Sequence, residues 1–137
     1  MRVMLDTNVL LSGFAFRSKG IEEMTRWICE RHQLLLSSYV IDELREVVAR
    51  KAPAMMEALD SFLLRLPFEM CYTPARIPED LPFMIRDPDD TAVLYSAIVA
   101  EADVLITGDK DFAGISIEKP EILTPAGFIS KYVYSDT

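Results

Sequence analysis

Short apolar runs alternate with longer segments of helical periodicity along this chain. Four runs have the length of β-strands and cover residues 2–5, 34–36, 69–72 and 104–106. Apolar residues spaced three and four apart predict helices over 21–30, 40–50 and 55–66. Strands that alternate with helices are typical of α/β folds, so we expect a central parallel sheet flanked by helices.

Two further helices are predicted from a capping residue followed by proline. Asp87 is expected to cap a helix over 88–101, whose first turn carries two more acids beside the positive helix end. Apolar residues on nearly every side of this helix indicate that it is buried. Thr124 is expected to open the last helix, over 125–134. The segment 73–88, which contains four prolines, is predicted to be a loop.

The composition fits one folded domain over residues 1–137. Half of the residues are apolar and 26% are charged, which favours a buried core over disorder. No apolar run approaches the roughly 20 residues that cross a bilayer, and Asp6 interrupts the apolar start where a signal peptide would continue. We therefore expect a soluble protein of the cytoplasm. Cys29 and Cys71 lack the spacing of a metal site and are expected to be buried free thiols.

The acidic residues are concentrated toward the C-terminus. The net charge of −8 disfavours a polyanionic partner at first sight. However, residues 1–51 hold eight basic and seven acidic side chains, whereas residues 52–137 hold six basic and fifteen acidic ones. Part of the excess lies in the short segments 87–90 and 109–111. Crowded like charges cost stability, so each segment fits either a cation site or a solvated turn.

Four of the acidic side chains are expected to converge at the carboxyl ends of the predicted strands. Asp6 directly follows the first strand and Asp109 follows the fourth, and ligands of open α/β sheets bind at that edge. Asp90 lies in the first turn of the buried helix before the fourth strand, which brings it to the same edge. Glu43 lies one turn into the helix after the second strand. Four acids at one edge would be costly without a metal ion.

Such an oxygen donor set favours hydrolysis assisted by a hard cation. Mg²⁺ and Mn²⁺ prefer oxygen ligands, lower the pKa of bound water and stabilise the oxygens of a phosphodiester under attack. The sequence has no nucleophile elbow, Walker A loop or Gly-x-Gly-x-x-Gly motif. Its one histidine, His32, follows a predicted helix in a polar turn and is expected at the surface. Metal-dependent hydrolysis needs none of these groups.

Five segments resemble, in order, the motifs of PIN-domain proteins. They are 3–9 (VMLDTNV), 37–44 (SSYVIDEL), 87–90 (DPDD), 107–112 (TGDKDF) and 123–129 (LTPAGFI). The resemblance spans nearly the whole chain and implies a three-layer PIN-like domain. Within the family, the chain is most similar to the compact VapC-type toxins of bacterial and archaeal toxin–antitoxin pairs.

The resemblance implies a Mg²⁺- or Mn²⁺-dependent endoribonuclease. Four residues match the family's metal-holding acids: Asp6, Glu43, Asp90 and Asp109. Asp111 matches an auxiliary acid and is a further candidate metal ligand. Thr7 and Asn8 match small polar residues beside the first acid, although Asn8 equally fits the cap of the next helix. Asp87 fits the role of a metal ligand less well than the role of a helix cap.

The resemblance also implies partners. A toxin-like member would be expected to cleave RNA, to be held inactive by an antitoxin protein, and to form a homodimer or a larger homo-oligomer. Three basic residues are candidate contacts to the RNA backbone: Arg17, Lys19 and Arg45. Two alternatives stay open. One is a non-catalytic scaffold that binds RNA or protein; the other is a phosphatase that forms an aspartyl phosphate on Asp6, which Asn8 disfavours because such enzymes usually carry a second aspartate there.

Overall fold

Five parallel strands form one sheet. They are β1 (Arg2–Leu5), β2 (Gln33–Ser37), β3 (Phe68–Cys71), β4 (Val104–Ile106) and β5 (Glu121–Leu123). Their order across the sheet is β3-β2-β1-β4-β5, and each neighbouring pair is parallel. The computed structural model describes residues 1–136, so Thr137, the end of the predicted domain, lies outside the described residues.

Helices connect the strands and flank the sheet. They are α1 (Thr7–Phe14), α2 (Lys19–Arg31), α3 (Ser38–Lys51), α4 (Met56–Arg65), α5 (Pro88–Val99) and α6 (Pro125–Phe128). A 3₁₀ turn over Pro53–Met55 precedes α4, and another over Lys110–Phe112 follows β4. After α6 the chain continues as a π-helical segment, Ile129–Val133, and a 3₁₀ turn, Tyr134–Asp136. The predicted α/β fold with a central parallel sheet is confirmed.

The central strands form the middle of the core. The side chains of Val3, Met4 and Leu5 in β1 are fully buried, as are those of 34–36 in β2. A strand with helices on both faces has no solvent side, which explains why these runs are continuously apolar rather than alternating. The predicted burial of α5 is also confirmed, because Ala92, Val93, Leu94 and Ala97 are buried.

The predicted capping residues begin their helices. Ser37 accepts a hydrogen bond from the Val40 N–H at 3.1 Å, Asp87 accepts one from Asp89, and Thr124 accepts one from Gly127. Each bond satisfies an amide that the helix itself leaves unpaired. These caps fix where α3, α5 and α6 begin.

Two elements were absent from the predicted set, α1 and β5. The apolar residues of α1 include an unbroken run over 9–11, which obscures helical periodicity, and its cap is Asp6, whose side chain accepts from the Thr7 N–H. Asn8 lies inside α1, so its proposed role as a helix cap is wrong. The strand β5 has only three residues, all half-buried, and its pairing with β4 defines it.

Several smaller expectations can be compared with the structure. Cys71 is buried, whereas Cys29 is half-buried, and both thiols are free. His32 is half-buried rather than fully exposed: its ring lies 4.9 Å from that of Trp27 and its Nδ1 lies 2.9 Å from the Met1 amino group. None of the described helices combines the length and the apolar character needed to cross a membrane.

We expect Leu36→Ala to lower the free energy of unfolding by about 2–5 kcal/mol, because it leaves a cavity beneath the sheet where Leu36 is 0% exposed. Leu64→Ala is the matched control: Leu64 is 88% exposed on α4, and its removal should change stability by less than about 0.5 kcal/mol. Urea unfolding followed by circular dichroism measures both. Equal losses would contradict the assignment of the core.

Candidate metal centre

The acidic residues gather where the strand order reverses. β1 and β4 lie side by side, with Leu5 opposite Ile106. The chain leaves β1 toward β2 on one side, and leaves β4 toward β5 on the other. A crevice forms at such a switch point, outside the carboxyl ends of the strands. Asp6 and Asp109 follow the two strands and therefore lie at this crevice.

The carboxylate of Asp6 is held in one orientation. Its Oδ1 accepts from the Thr7 N–H and its Oδ2 accepts from the Thr107 hydroxyl, each at 2.7 Å. The Thr107 oxygen in turn accepts from the Asp109 N–H at 3.1 Å. Asp6 is only 4% exposed, and burial raises its pKa despite the two hydrogen bonds, which act in the opposite direction. Thr107 thus joins the ends of β1 and β4.

Asp90 is the most strongly perturbed acid of the site. It lies in the first turn of α5 and is 7% exposed. Burial raises its pKa to about 7, together with the negative charge of Asp109, a hydrogen bond shared with Asp109, and the charges of Asp87 and Asp6. Its Oδ2 is buried and makes no hydrogen bond within the described part of the chain. A buried oxygen of this kind lacks a partner that a cation could supply.

Glu43 faces the cluster from α3. Burial raises its pKa, and the charges of Asp6 and Asp89 add to the effect, whereas the nearby Thr7 hydroxyl lowers it. The Thr7 Oγ1 is itself buried and has no partner in hydrogen-bonding geometry among the described residues. The Tyr39 hydroxyl donates to Asp89 and so connects the start of α3 with the start of α5. This bond links α3, which carries Glu43, to α5, which carries Asp90.

Asp87 and Asp111 complete the acidic cluster. Carboxylate oxygens of Asp87, Asp90 and Asp111 all lie within 4.8 Å of one another. Asp87 also caps α5, and its two predicted roles are compatible, since a carboxylate that accepts from the Asp89 N–H keeps further acceptor capacity for a cation. Asp109 accepts from the Asp111 N–H at 2.9 Å, which fixes the turn after β4. Arg86 lies 3.7 Å from Asp111 at the exposed rim.

A groove of about 370 Å³ collects most of the candidate residues. Seven of the eight line it: Asp6, Thr7, Asn8, Glu43, Asp87, Asp90 and Asp109. Asp111 does not line the groove, but one of its carboxylate oxygens lies within 4.8 Å of those of Asp87 and Asp90. The structure adds four lining residues outside the predicted acidic segments, and one within segment 87–90 that was not itself a candidate ligand: Leu11, Glu46, Val47 and Arg50, and Asp89. Glu46 and Arg50 could have been found from their spacing of three and seven residues after Glu43 on one helix face.

The three candidate RNA contacts lie elsewhere. Arg17 pairs with Glu22 at 3.4 Å, and Arg45 pairs with Asp60 on α4. Neither these two arginines nor Lys19 is among the residues that line the groove. The expectation that they contact a substrate bound at the carboxylates therefore has no support from their position.

The residues present fit a divalent cation. The donor set is made of carboxylate and hydroxyl oxygens, which hard cations prefer. The acids raise one another's pKa, so a positive charge among them would relieve the repulsion. The unpartnered Asp90 Oδ2 and Thr7 Oγ1 are the polar atoms that such an ion, or water bound to it, would satisfy.

The raised pKa of Asp90 predicts how stability depends on pH without metal. Between the ordinary aspartate value near 3.9 and about 7, the folded state binds more protons than the unfolded state, so stability falls as pH rises through this window. Asp90→Asn removes the ionisation. In EDTA we expect the variant to exceed the unmodified protein in unfolding free energy by about 2–4 kcal/mol at pH 8 and by only about 1 kcal/mol at pH 5, with the difference vanishing below about pH 4.

Asp42→Asn is the control for this comparison, since Asp42 is exposed on α3 outside the groove. It should follow the unmodified protein at both pH values in the same urea titrations. A difference between Asp90→Asn and the unmodified protein that is equal at pH 5 and pH 8 would contradict the raised pKa.

Comparisons with known proteins agree with this geometry. The family model described as a PIN domain matches residues 2–111. The fold is similar to VapBC2 from Rickettsia felis, solved bound to a DNA fragment from its promoter, with a TM-score of 0.68 and 18% identity over 90% of this chain and 97% of that chain. It is also similar to DNA-bound VapBC from Salmonella typhimurium, with a TM-score of 0.66 and 18% identity over 91% of this chain and 98% of that chain. A search of curated proteins gives no significant match. Because the family model covers most of its length, the chain belongs to the PIN domain family.

Proposed function

We propose that this protein is a Mg²⁺- or Mn²⁺-dependent endoribonuclease and the toxin of a toxin–antitoxin pair. The observation that carries the nuclease proposal is the buried Asp90 at the strand switch point, with one oxygen unpartnered and its pKa raised to about 7 by burial and by its acidic neighbours. Membership of the PIN domain family supports the same chemistry. The toxin role draws on the two similar solved structures, both of which are VapBC complexes.

The carboxylates of the groove would hold the metal. We assign this role to Asp6, Glu43, Asp90 and Asp109, with Asp111 and Asp87 at the adjacent cluster. A bound Mg²⁺ or Mn²⁺ supplies Lewis acidity, which activates water and stabilises negative charge on a phosphodiester. Hydrogen bonds within the protein orient the carboxylates: Thr107 and the Thr7 N–H hold Asp6, and the Asp111 N–H holds Asp109. Asn8 lines the same groove, where its amide can donate to a phosphate oxygen.

We expect Asp6→Asn and Asp109→Asn each to reduce RNA cleavage at least about a hundredfold while the fold persists, since each removes a charge that holds the metal. Purified protein is titrated with Mg²⁺ and Mn²⁺ against structured and single-stranded RNAs. Asp42→Asn, prepared in parallel, should keep full activity, whereas residual cleavage in Asp6→Asn exposes any contaminating nuclease. Cleavage that persists unchanged in a double Asp6 and Asp109 variant would overturn the assignment.

The two alternatives give different results in the same experiments. If metal raises the melting temperature but no RNA is cut, the metal site is real, the scaffold interpretation loses support, and the substrate is narrower than the RNAs tested. If metal binds nowhere, the carboxylate assignment itself fails and the scaffold interpretation gains support. A phosphatase would form a covalent phosphate on Asp6, which mass spectrometry detects, and its usual second aspartate is replaced by Asn8 in this chain.

A second groove supports the proposed antitoxin partner. It encloses about 620 Å³ beside α1, α2 and α4 and is lined mainly by apolar side chains, among them Phe14 and Phe62, whose rings lie 5.3 Å apart. Three arginines also line it, Arg17, Arg26 and Arg65, of which Arg17 pairs with Glu22 in the same lining. A groove of this character suits the apolar face of an amphipathic helix whose flanks are acidic. We assign this surface to the antitoxin. We further propose that the chain is a single PIN domain, that it forms homo-oligomers, and that it acts in the cytoplasm.

We expect Ala58→Arg to abolish capture of the antitoxin, because Ala58 is exposed on α4 within this groove and a long side chain would fill it. The neighbourhood of the gene is first searched for a small reading frame, the chain is co-expressed with the product of that frame, and the complex is purified by a tag on that product. Ala49→Arg, which places the same side chain at an exposed position of α3 outside both grooves, should bind normally. Equal recovery of the two variants would contradict the assigned surface.

A further inference from the structure

One face of α3 lines the groove from the acidic cluster outward. Glu43, Glu46, Val47 and Arg50 recur at three- and four-residue steps, so they lie on the same side of the helix, and all four line the groove. Arg50 follows Glu43 by seven residues, which is about 10 Å along the helix axis at 1.5 Å per residue. The groove therefore extends well beyond the carboxylates.

The lining changes character along this length. The end at Glu43 is acidic, as shown above. Glu46 and Val47 lie between Glu43 and Arg50 along α3, and Leu11 adds apolar surface from α1. At the far end stands Arg50, the single cation among the described residues that line the groove. The lining thus changes from acidic at Glu43, through the mixed surface of Glu46 and Val47, to cationic at Arg50.

Arg50 is exposed, and none of its contacts with other described residues is an ion pair. Arg45, on the same helix, differs because it is held by Asp60. An arginine at the end of a groove that is otherwise rich in carboxylates offsets part of the repulsion that a polyanion would meet on entering. Its guanidinium also presents a planar set of donors that matches the oxygens of a phosphate.

We propose that Arg50 binds a backbone phosphate of single-stranded RNA that flanks the phosphate held at the carboxylates. The inference rests on the proposed nuclease function and adds the path that the strand takes along the groove from the carboxylates to Arg50. A span of about 10 Å corresponds to about three stacked nucleotides at 3.4 Å each, or to fewer when the strand is extended. The apolar surface of Leu11 and Val47 would then contact the sugar or base between the two phosphates. Arg50 is a binding residue in this arrangement and does not touch the reacting atoms.

The test compares Arg50→Ala with Lys51→Ala. Lys51 is the next residue of α3, is exposed, and does not line the groove, so both variants lose one charge from the same helix end. We expect Arg50→Ala to raise the KM for a single-stranded RNA about tenfold with kcat unchanged, and Lys51→Ala to leave both constants unchanged. Arg50→Lys should recover part of the loss, since it restores the charge but not the paired donors.

Binding is measured separately so that this inference and the nuclease proposal can fail independently. Both alanine changes are introduced into Asp6→Asn, and the Kd of a fluorescent single-stranded RNA is followed by anisotropy as a function of salt in Mg²⁺. Loss of one phosphate contact should weaken binding about tenfold and reduce the slope of log K against log salt by about 0.7.

Equal Kd values and equal slopes for the Arg50 and Lys51 variants would overturn the role of Arg50, even if the unmodified protein cuts RNA. A change in metal affinity alone, without a change in RNA affinity, would overturn it as well, because Arg50 would then only balance the carboxylates. Weakened binding in the Arg50 variant together with no cleavage by the unmodified protein would instead overturn the nuclease proposal and keep the phosphate contact.

Discussion

The hydrogen bond from the Thr107 hydroxyl to the buried Asp6 carboxylate connects the two strands on which the site depends. It is possible because β1 and β4 are neighbours at the centre of the sheet, with their carboxyl ends at the same edge. The same hydroxyl oxygen accepts from the Asp109 N–H, so one side chain orients both acids that follow the strands. The geometry of the candidate centre is therefore a direct consequence of strand order.

Gathering acids at this edge opposes folding. The raised pKa values of Asp6, Glu43 and Asp90 show that burial and mutual repulsion disfavour their ionised forms. The continuous apolar strands beneath them and the buried helix α5 offset that cost, because they remove water from both faces of the sheet. The protein thus combines a rigid, apolar centre with a sheet edge whose acidic side chains destabilise the fold until a cation binds there. This arrangement is common where function requires groups that stability alone would not select.

Much of this could be predicted because it follows from local rules. Four of five strands were predicted within one residue of their observed bounds, and Asp6 and Asp109 reach the sheet edge because they directly follow two of them. What could not be predicted depends on tertiary placement. The contact of Asp87 with Asp111 joins the start of α5 to the turn after β4, which no spacing in the sequence encodes. Arg17 and Arg45 were candidate RNA contacts only by their charge, and acids near them in space engage both.

The net charge of −8 illustrates why position matters more than composition for a protein proposed to act on RNA. The acids of the groove are close together, and a divalent cation among them would reverse the local sign of the field that a phosphate meets. Further along the groove no such ion is required, because Arg50 already stands there. An acidic chain can therefore contact a polyanion at two positive points, a bound cation and an arginine of its own helix. The remainder of its surface repels nucleic acid that binds non-specifically.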